Sequence, residues 1–396
     1  MLNRTKTQEP QVRIIPWETT PQKGRDRNRL KRPHLLTFLL SLLALIALIH
    51  FIAVMHSSNT VVVVAPPMNC PGLMRSTDYT QLVHLQPKSQ EMGAVQFVNQ
   101  LSGGQPAALV QVQNSGTQQA LDVYIYGCTM QKHTPKLTTL FTQRDLLQGT
   151  ASISSANTLV TSELDTTISP QASTLIQPMQ QNVYREYSWQ HGAFVQVAFP
   201  SSYPVTSRGE AEALQQQANN GQTLPWSDPM MTAEQMAKDI FKWPAISPQD
   251  AVSNNNGITA QVQLMQQTPP LQVSVTLERL IQHNSTGLWF VTRAQSTGLT
   301  VDQPQVGSIM TSPTTIKGTG ALADGQAIAT LFDHTLTPLS FLNNPTLNVD
   351  ASGTYSGILL YTNGVQNQPG LLLVQSLPPS GSTEAGQLLL MGILLG

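Results

Sequence analysis

At 396 residues the chain is too long for one ordinary core and long enough for two or three folded units. Apolar residues make up 40% and charged residues 11%, against about 25% charged in a typical soluble domain. Gln, Asn, Ser and Thr carry the polarity instead, which excludes a charge-rich disordered chain and suits extracytoplasmic β domains.

The net charge of −1 hides an asymmetry. Residues 1–34 hold nine Lys/Arg against three Asp/Glu, leaving 12 basic and 19 acidic residues in the remainder. A remainder with that acidic balance has no reason to seek nucleic acid. After the basic tail comes an apolar run, Leu35 to Met55, with no Asp, Glu, Lys or Arg. As a helix it would cover about 30 Å, the hydrocarbon thickness. A core helix would carry a polar stripe, and this run offers only Thr37, Ser41 and His50. A signal peptide has a shorter apolar region and a small-x-small cleavage site, which "AVMHSSN" does not supply. The run therefore reads as a retained single-pass transmembrane helix, with the lipid bilayer as its partner. The basic flank "KGRDRNRLKR" predicts a cytoplasmic N-terminus and an extracytoplasmic bulk at the cell membrane.

Residues 56–79 read as an extended stalk, because Val61–Val64 favour extended backbone and Pro66, Pro67 and Pro71 oppose helix. The two cysteines, Cys70 and Cys128, both follow the apolar run. In an oxidising compartment they can form one disulfide; two unrelated thiols are the alternative.

Residues 80–303 read as an α+β extracytoplasmic domain of one or two subdomains. "AALVQVQNSG" and "ALDVYIYGCT" predict a hairpin. In the second segment Leu121, Val123 and Ile125 share one face, and Asp122, Tyr124 and Tyr126 the other. A period of two predicts one buried face and one that meets water or a partner. The aromatic residues of "VYREYSW" (Tyr184, Tyr187 and Trp189) are candidates for a sugar- or peptide-binding platform, with core and rim packing as the alternative. Two helices follow. "RGEAEALQQQANN" is rich in helix formers. In "MTAEQMAKDIFKW", Thr232 and Gln235 fit a capping box ahead of an apolar face of Ala233, Met236, Ala237, Ile240 and Phe241. Three alternating strands, "GITAQVQLMQ", "LQVSVTLERL" and "GLWFVTRAQ", complete the unit. "DQPQVGS" is the joint to the next.

Residues 304–396 read as an all-β sandwich, with short candidate strands separated by turn residues. The terminal "QLLLMGILLG" is apolar throughout, as a strand covered on both faces would be, and too short to cross a bilayer as a helix. This region resembles the immunoglobulin-like domain associated with bacterial spore germination and sporulation proteins. The likeness rests on Ser312-Pro313 before the first strand, Gly318 and Gly320 after it, and Gly353 with Tyr355 opening a middle strand. Where that family often has Phe-Glu, this chain has Phe332-Asp333. The resemblance implies a non-catalytic adhesion or assembly role on envelope proteins and supplies no active-site residues.

No catalytic motif emerges. The histidines after the apolar run (His56, His84, His133, His191, His283 and His334) are scattered, without HExxH, HxH or CxxC spacing, so no metal or cofactor is expected. A G-x-S-x-G elbow is absent, and "LSGGQPAAL" lacks the Lys-Ser/Thr of a phosphate loop. "SELD" puts Glu163 and Asp165 on one strand face, about 7 Å apart along the chain. A glycosidase would use such a pair; a solvated strand edge explains it equally. Two functions remain. The first is a bitopic, membrane-anchored bacterial envelope protein whose non-catalytic ectodomain binds a cell-wall polymer or another envelope protein. The second is an anchored hydrolase of cell-wall glycan or peptide. The thin spread of charge favours the first, since hydrolytic clefts gather titratable groups.

Overall fold

The computed structural model describes residues 69–396 except 117, 170–174, 244–250, 268–269, 323–324 and 380–383. The first elements are two short helices. Helix α1 (Cys70–Ser76) starts where the Asn69 side chain accepts from Gly72 N at 2.8 Å, and α2 (Tyr79–Leu82) where Asp78 accepts from Thr80 N at 3.0 Å. Five strands follow: β1 (Gln90–Met92), β2 (Gln96–Ser102), β3 (Gln105–Asn114), β4 (Leu121–Gln131) and β5 (Thr134–Leu146). They form an antiparallel sheet of order β1-β3-β4-β5, with β2 also on β3.

The alternation in β4 is as the sequence predicts, but both of its faces are buried. Leu121, Val123 and Ile125 face a core shared with Leu109, Leu146 and Leu159. Tyr124, Tyr126 and Cys128 face a second core with Met74 and Tyr79. The covering layer is α1 itself, held down by a disulfide between Cys70 and Cys128, whose Cα atoms lie 5.5 Å apart. A second antiparallel sheet packs on the first core. It comprises β6 (Thr150–Ile153), β7 (Leu159–Leu164), β8 (Asn182–Gln190) and β9 (Ala193–Val197), in that order.

Helices α3 (Arg208–Asn219) and α4 (Pro229–Asp239) lie between β9 and the next strand. Ser207 caps α3 by accepting from Glu210 N. The cap of α4 is Asp228, with Pro229 in the first turn, rather than Thr232. Thr232 is instead one turn inside, where its hydroxyl donates to the Asp228 carbonyl at 2.7 Å. Asp followed by Pro is the stronger start, because proline has no amide to leave unsatisfied there.

The helices' apolar faces (Ala211, Leu214, Met236 and Ile240) cover one side of the largest sheet. Its strands are β10 (Ala251–Asn255), β11 (Thr259–Gln267), β12 (Pro270–Glu278), β13 (Phe290–Gln295), β14 (Thr300–Gln303), β15 (Ile309–Met310), β16 (Thr314–Thr319), β17 (Gln326–Phe332), β18 (Thr346–Val349), β19 (Tyr355–Leu359), β20 (Gln368–Leu377) and β21 (Gln387–Leu395). The order is β10-β11-β12-β13-β21-β20-β17-β18-β19-β16-β14, with β15 parallel to β21. The last strand is buried on both faces. Leu388 and Leu390 enter the helix-covered core, and Leu389, Met391, Ile393 and Leu395 a second core under β16 and β19.

Two parts of the expected fold are corrected. The structure is not an α+β domain followed by a separate sandwich but mostly β-sandwich sheets. Strand β13, placed by sequence at the end of the α+β unit, pairs with β21 through Ala294↔Leu390 and Gln295↔Leu389. The two helical signals are real, but the helices cover one face of a β sheet and do not make a separate α+β unit. The single-pass transmembrane helix is not supported either. Among the described residues no helix is long and apolar enough to cross a membrane, and the longest has 12 residues. Residues 35–55, on which the span was placed, lie outside the described residues. A hydropathy window reads composition alone and cannot see what an apolar run packs against.

Three of the residues that carry the immunoglobulin-like resemblance, Gly318, Gly320 and Tyr355, meet at one end of the sandwich. The Tyr355 hydroxyl donates to the Thr300 carbonyl at 2.5 Å. A Cβ on Gly318 would fall 2.0 Å from that carbonyl oxygen. Gly320 has φ +83°, and a Cβ there would fall 2.0 Å from the Gly298 carbonyl oxygen. These residues are therefore fixed by close backbone approach. Gly320→Ala is expected to cost more than the ~1–2 kcal/mol of left-handed strain alone, read as a lower denaturant midpoint; an unchanged midpoint would show that the approach relaxes freely.

Candidate functional site

Strand β8 carries all three predicted aromatic residues, and its pleat separates them. Tyr187 and Trp189 share a face. There Tyr187 packs on Phe141 at 4.8 Å between ring centroids, and Trp189 on Phe194 at 5.1 Å. Phe141 and Phe194 themselves meet at 5.7 Å, so these rings stitch the second sheet to the first. Tyr184 lies on the opposite face against the start of α3, where a Cβ on Gly209 would come within 2.4 Å of its ring. The three do not form one platform, and each is at least half-buried.

The polar residues between them build a more concentrated site. Arg185 is 6% exposed and lies 2.6 Å from Glu163 of β7. It also donates to the backbone carbonyls of Gln366 (2.8 Å) and Asn367 (3.1 Å), just before β20. On the other face of β8, Glu186 accepts from Arg208, the first residue of α3, at 2.6 Å. Asp165, just beyond β7, meets His334 Nε2 at 3.0 Å. His334 sits in a turn after β17, which Asp333 organises by accepting from Thr335 N and Thr337 N. The "LFDH" segment thus has a structural use for its acid. Burial alone would raise the Asp165 carboxyl, but hydrogen bonds from His334 and Thr167 outweigh it and hold the group below the ordinary aspartate range.

Glu210 completes the cluster from the first turn of α3. It is 1% exposed and takes the Ser207 hydroxyl at 2.6 Å. Burial pushes its carboxyl up to about 7, against the opposing effects of Ser207 and His334. Glu210 Oε1, His334 Nδ1 and Arg185 Nη1 are buried without a protein partner. A raised carboxyl adds stability that is complete below about 4.5 and is lost as pH rises through about 7. That difference amounts to roughly 3 kcal/mol. Glu210→Gln should therefore flatten the stability profile between pH 4.5 and 7 and leave the variant more stable than the parent at pH 8. Denaturation midpoints measured across that range test this; parallel profiles for the two proteins would refute it.

The sequence singled out Glu163, Asp165 and Tyr184 but missed the partners that give them a role. Arg185 and Glu210 carried one signal, since a chain this poor in charge does not bury ionisable groups at random. The Ser207-x-x-Glu210 spacing also marked a helix start. Of the other described histidines, His84, His133, His191 and His283 are exposed. Among the described residues no group of three or more His, Cys, Asp or Glu is placed to hold a metal ion.

No family model, curated protein or solved structure matches the chain.

Proposed function

We propose that this chain is a non-catalytic binding or assembly protein of the bacterial envelope, working in an oxidising, extracytoplasmic compartment. The observation that carries the reading is the use made of its carboxylates. Glu163, Asp165 and Glu186 are engaged by Arg185, His334 and Arg208 at 2.6–3.0 Å. The ties reach from the second sheet to α3 and to the loops around β17 and β20. Carboxylates spent in this way fix the relative placement of elements. The Cys70–Cys128 bridge supports the compartment, because such bonds persist where thiols are not kept reduced. The sandwich of β14, β16, β19 and β18 over β17, β20 and β21 supports an adhesion or assembly module of immunoglobulin-like type.

The rival reading, a hydrolase of wall glycan or peptide, has one observation on its side. Glu210, raised to about 7 and sensing His334, lies in the range where general acid–base groups work. Its 1% exposure weighs against contact with a substrate. Immobilised protein challenged with envelope proteins and native wall fragments should retain a partner. Failure to retain any, with release of soluble wall products, would reverse the assignment.

A further inference from the structure

Strand β5 is irregular near its end, and the irregularity gathers charge. The β4–β5 register runs from Val123↔Gln143 to Leu121↔Leu146. Arg144 and Asp145 therefore both stand opposite Asp122, a β-bulge of two residues against one. Asp145 takes φ +59°, in the left-handed region that Asp and Asn enter more readily than other side chains. Its amide donates to Asp122 Oδ1 at 2.9 Å. Asp122 and Tyr124 share a face of β4, since positions two apart on a strand point the same way. The Arg144 guanidinium turns to that face and lies 5.7 Å from the centre of the Tyr124 ring. Bulges of this kind re-aim side chains and recur beside functional sites.

Asp122, Arg144 and Asp145 open on a pocket of about 410 Å³, which Gln90, Asn114 and Gln119 also line. Small-ligand sites run to about 300–1,000 Å³. Asp122 is buried, whereas Arg144 and Asp145 are exposed, so a ligand can reach both signs of charge. All three groups act on the Tyr124 phenol. Burial raises it first, Asp122 and Asp145 raise it further, and Arg144 opposes them. Yet neither Arg144 nor Asp145 forms an ion pair with any described residue. Glu163, Asp165 and Glu186, by contrast, each hold a basic partner at 2.6–3.0 Å.

We propose that this pocket binds a short zwitterionic peptide, its free carboxylate on Arg144 and an ammonium on Asp145 and Asp122. The inference rests on the binding-protein reading and narrows a wall-polymer ligand to its peptide part. The guanidinium fork matches a carboxylate, and the ring beside it restricts its motion before binding. A neutral glycan would leave the exposed charges without partners. A polyanion would meet two carboxylates for one guanidinium. A lone metal ion would find too few ligands, because no described group of three His, Cys, Asp or Glu is placed to hold one.

The test is calorimetry of the full chain against N-acetyl-Lys-Ala-Ala with a free C-terminus, made from L- and from D-amino acids. One comparator amidates the C-terminus and so removes the carboxylate. A second acetylates the lysine and so removes the ammonium. At least one zwitterionic form should bind, and each blocked form should bind about tenfold or more weakly, the worth of a charge-assisted hydrogen bond. Arg144→Gln should no longer distinguish the free acid from its amide. Asp145→Asn, whose side chain also tolerates left-handed backbone, should no longer distinguish the amine from its acetylated form. Lys136→Gln, exposed near the other end of β5, should bind as the parent does. No zwitterion bound, blocked forms bound as tightly as the zwitterion, or variants that discriminate as the parent does would overturn the proposal. Retention of an envelope protein or wall fragment with no peptide bound would remove this site and leave the binding reading intact, whereas hydrolysis of the peptide would remove that reading as well.

Discussion

Removing the Cys70–Cys128 bridge is expected to cost about 4 kcal/mol, the value for a closed loop near 60 residues in the chain-entropy account. The bond joins positions 58 residues apart. Helix α1 has only 7 residues, and helices shorter than about 12 residues are marginal in water on their own. Its place over β4 therefore depends on the covalent tie and on Met74 and Tyr79, which are buried against Tyr126. The rings of Tyr79 and Tyr126 lie 5.7 Å apart. Without the bridge α1 should leave first, uncovering Val110, Tyr124 and Tyr126. The Cys70→Ala/Cys128→Ala double variant should show this as a lower denaturant midpoint and as faster amide exchange in α1 and β4. The distant β20–β21 pair should keep its protection. A variant with the parent's midpoint would mean that the apolar contacts alone hold α1 down.

The second large effect is expected from His334→Ala. Asp165 is 4% exposed at its side chain and would keep its buried charge without the imidazole 3.0 Å away. Breaking one partner from a buried pair typically costs 3–5 kcal/mol, more than the pair itself contributes, because desolvation is left unrepaid. Asp165→Asn combined with His334→Gln, which removes the carboxylate and the imidazole together and roughly preserves volume, should cost much less than His334→Ala. The pH dependence carries the opposite sign to that of Glu210. A carboxyl lowered in the fold adds stability that is present above 3.8 and is lost as pH falls below it. Together the two acids place the stability maximum on the acid side of neutrality. Equal denaturation midpoints for His334→Ala and the double variant would show that the buried charge is not what the pair protects.

The parts of this fold legible in the sequence are those set by local periodicity. The alternation of β4, the start of α3 near Ser207, the apolar face of α4 and the double-sided burial of β21 could all be read from spacing. What spacing cannot give is the partner. Period two says that Leu121 and Tyr124 face opposite ways, but not that a disulfide-held helix covers the tyrosine side. It likewise cannot say that β13 would pair with β21, across the whole sandwich segment. The candidate site shows the same limit. Asp165 and His334 are 169 residues apart and Arg185 and Asn367 are 182 apart, so each looked solitary in the chain. The three aromatic residues of β8 failed as a platform for a reason the sequence did contain, since positions 184 and 187 differ by an odd number and a strand sends them to opposite faces.

The claim underlying the functional account is that the buried carboxylates hold the architecture together and do no chemistry. The most direct test is to expose native wall fragments to the full chain and to its Glu210→Gln variant, measuring both retention of partners and release of soluble products. The expected result is that both proteins retain the same partners and neither releases products. Release by the parent that the variant loses, with its fold intact, would contradict the account and make Glu210 a catalytic residue.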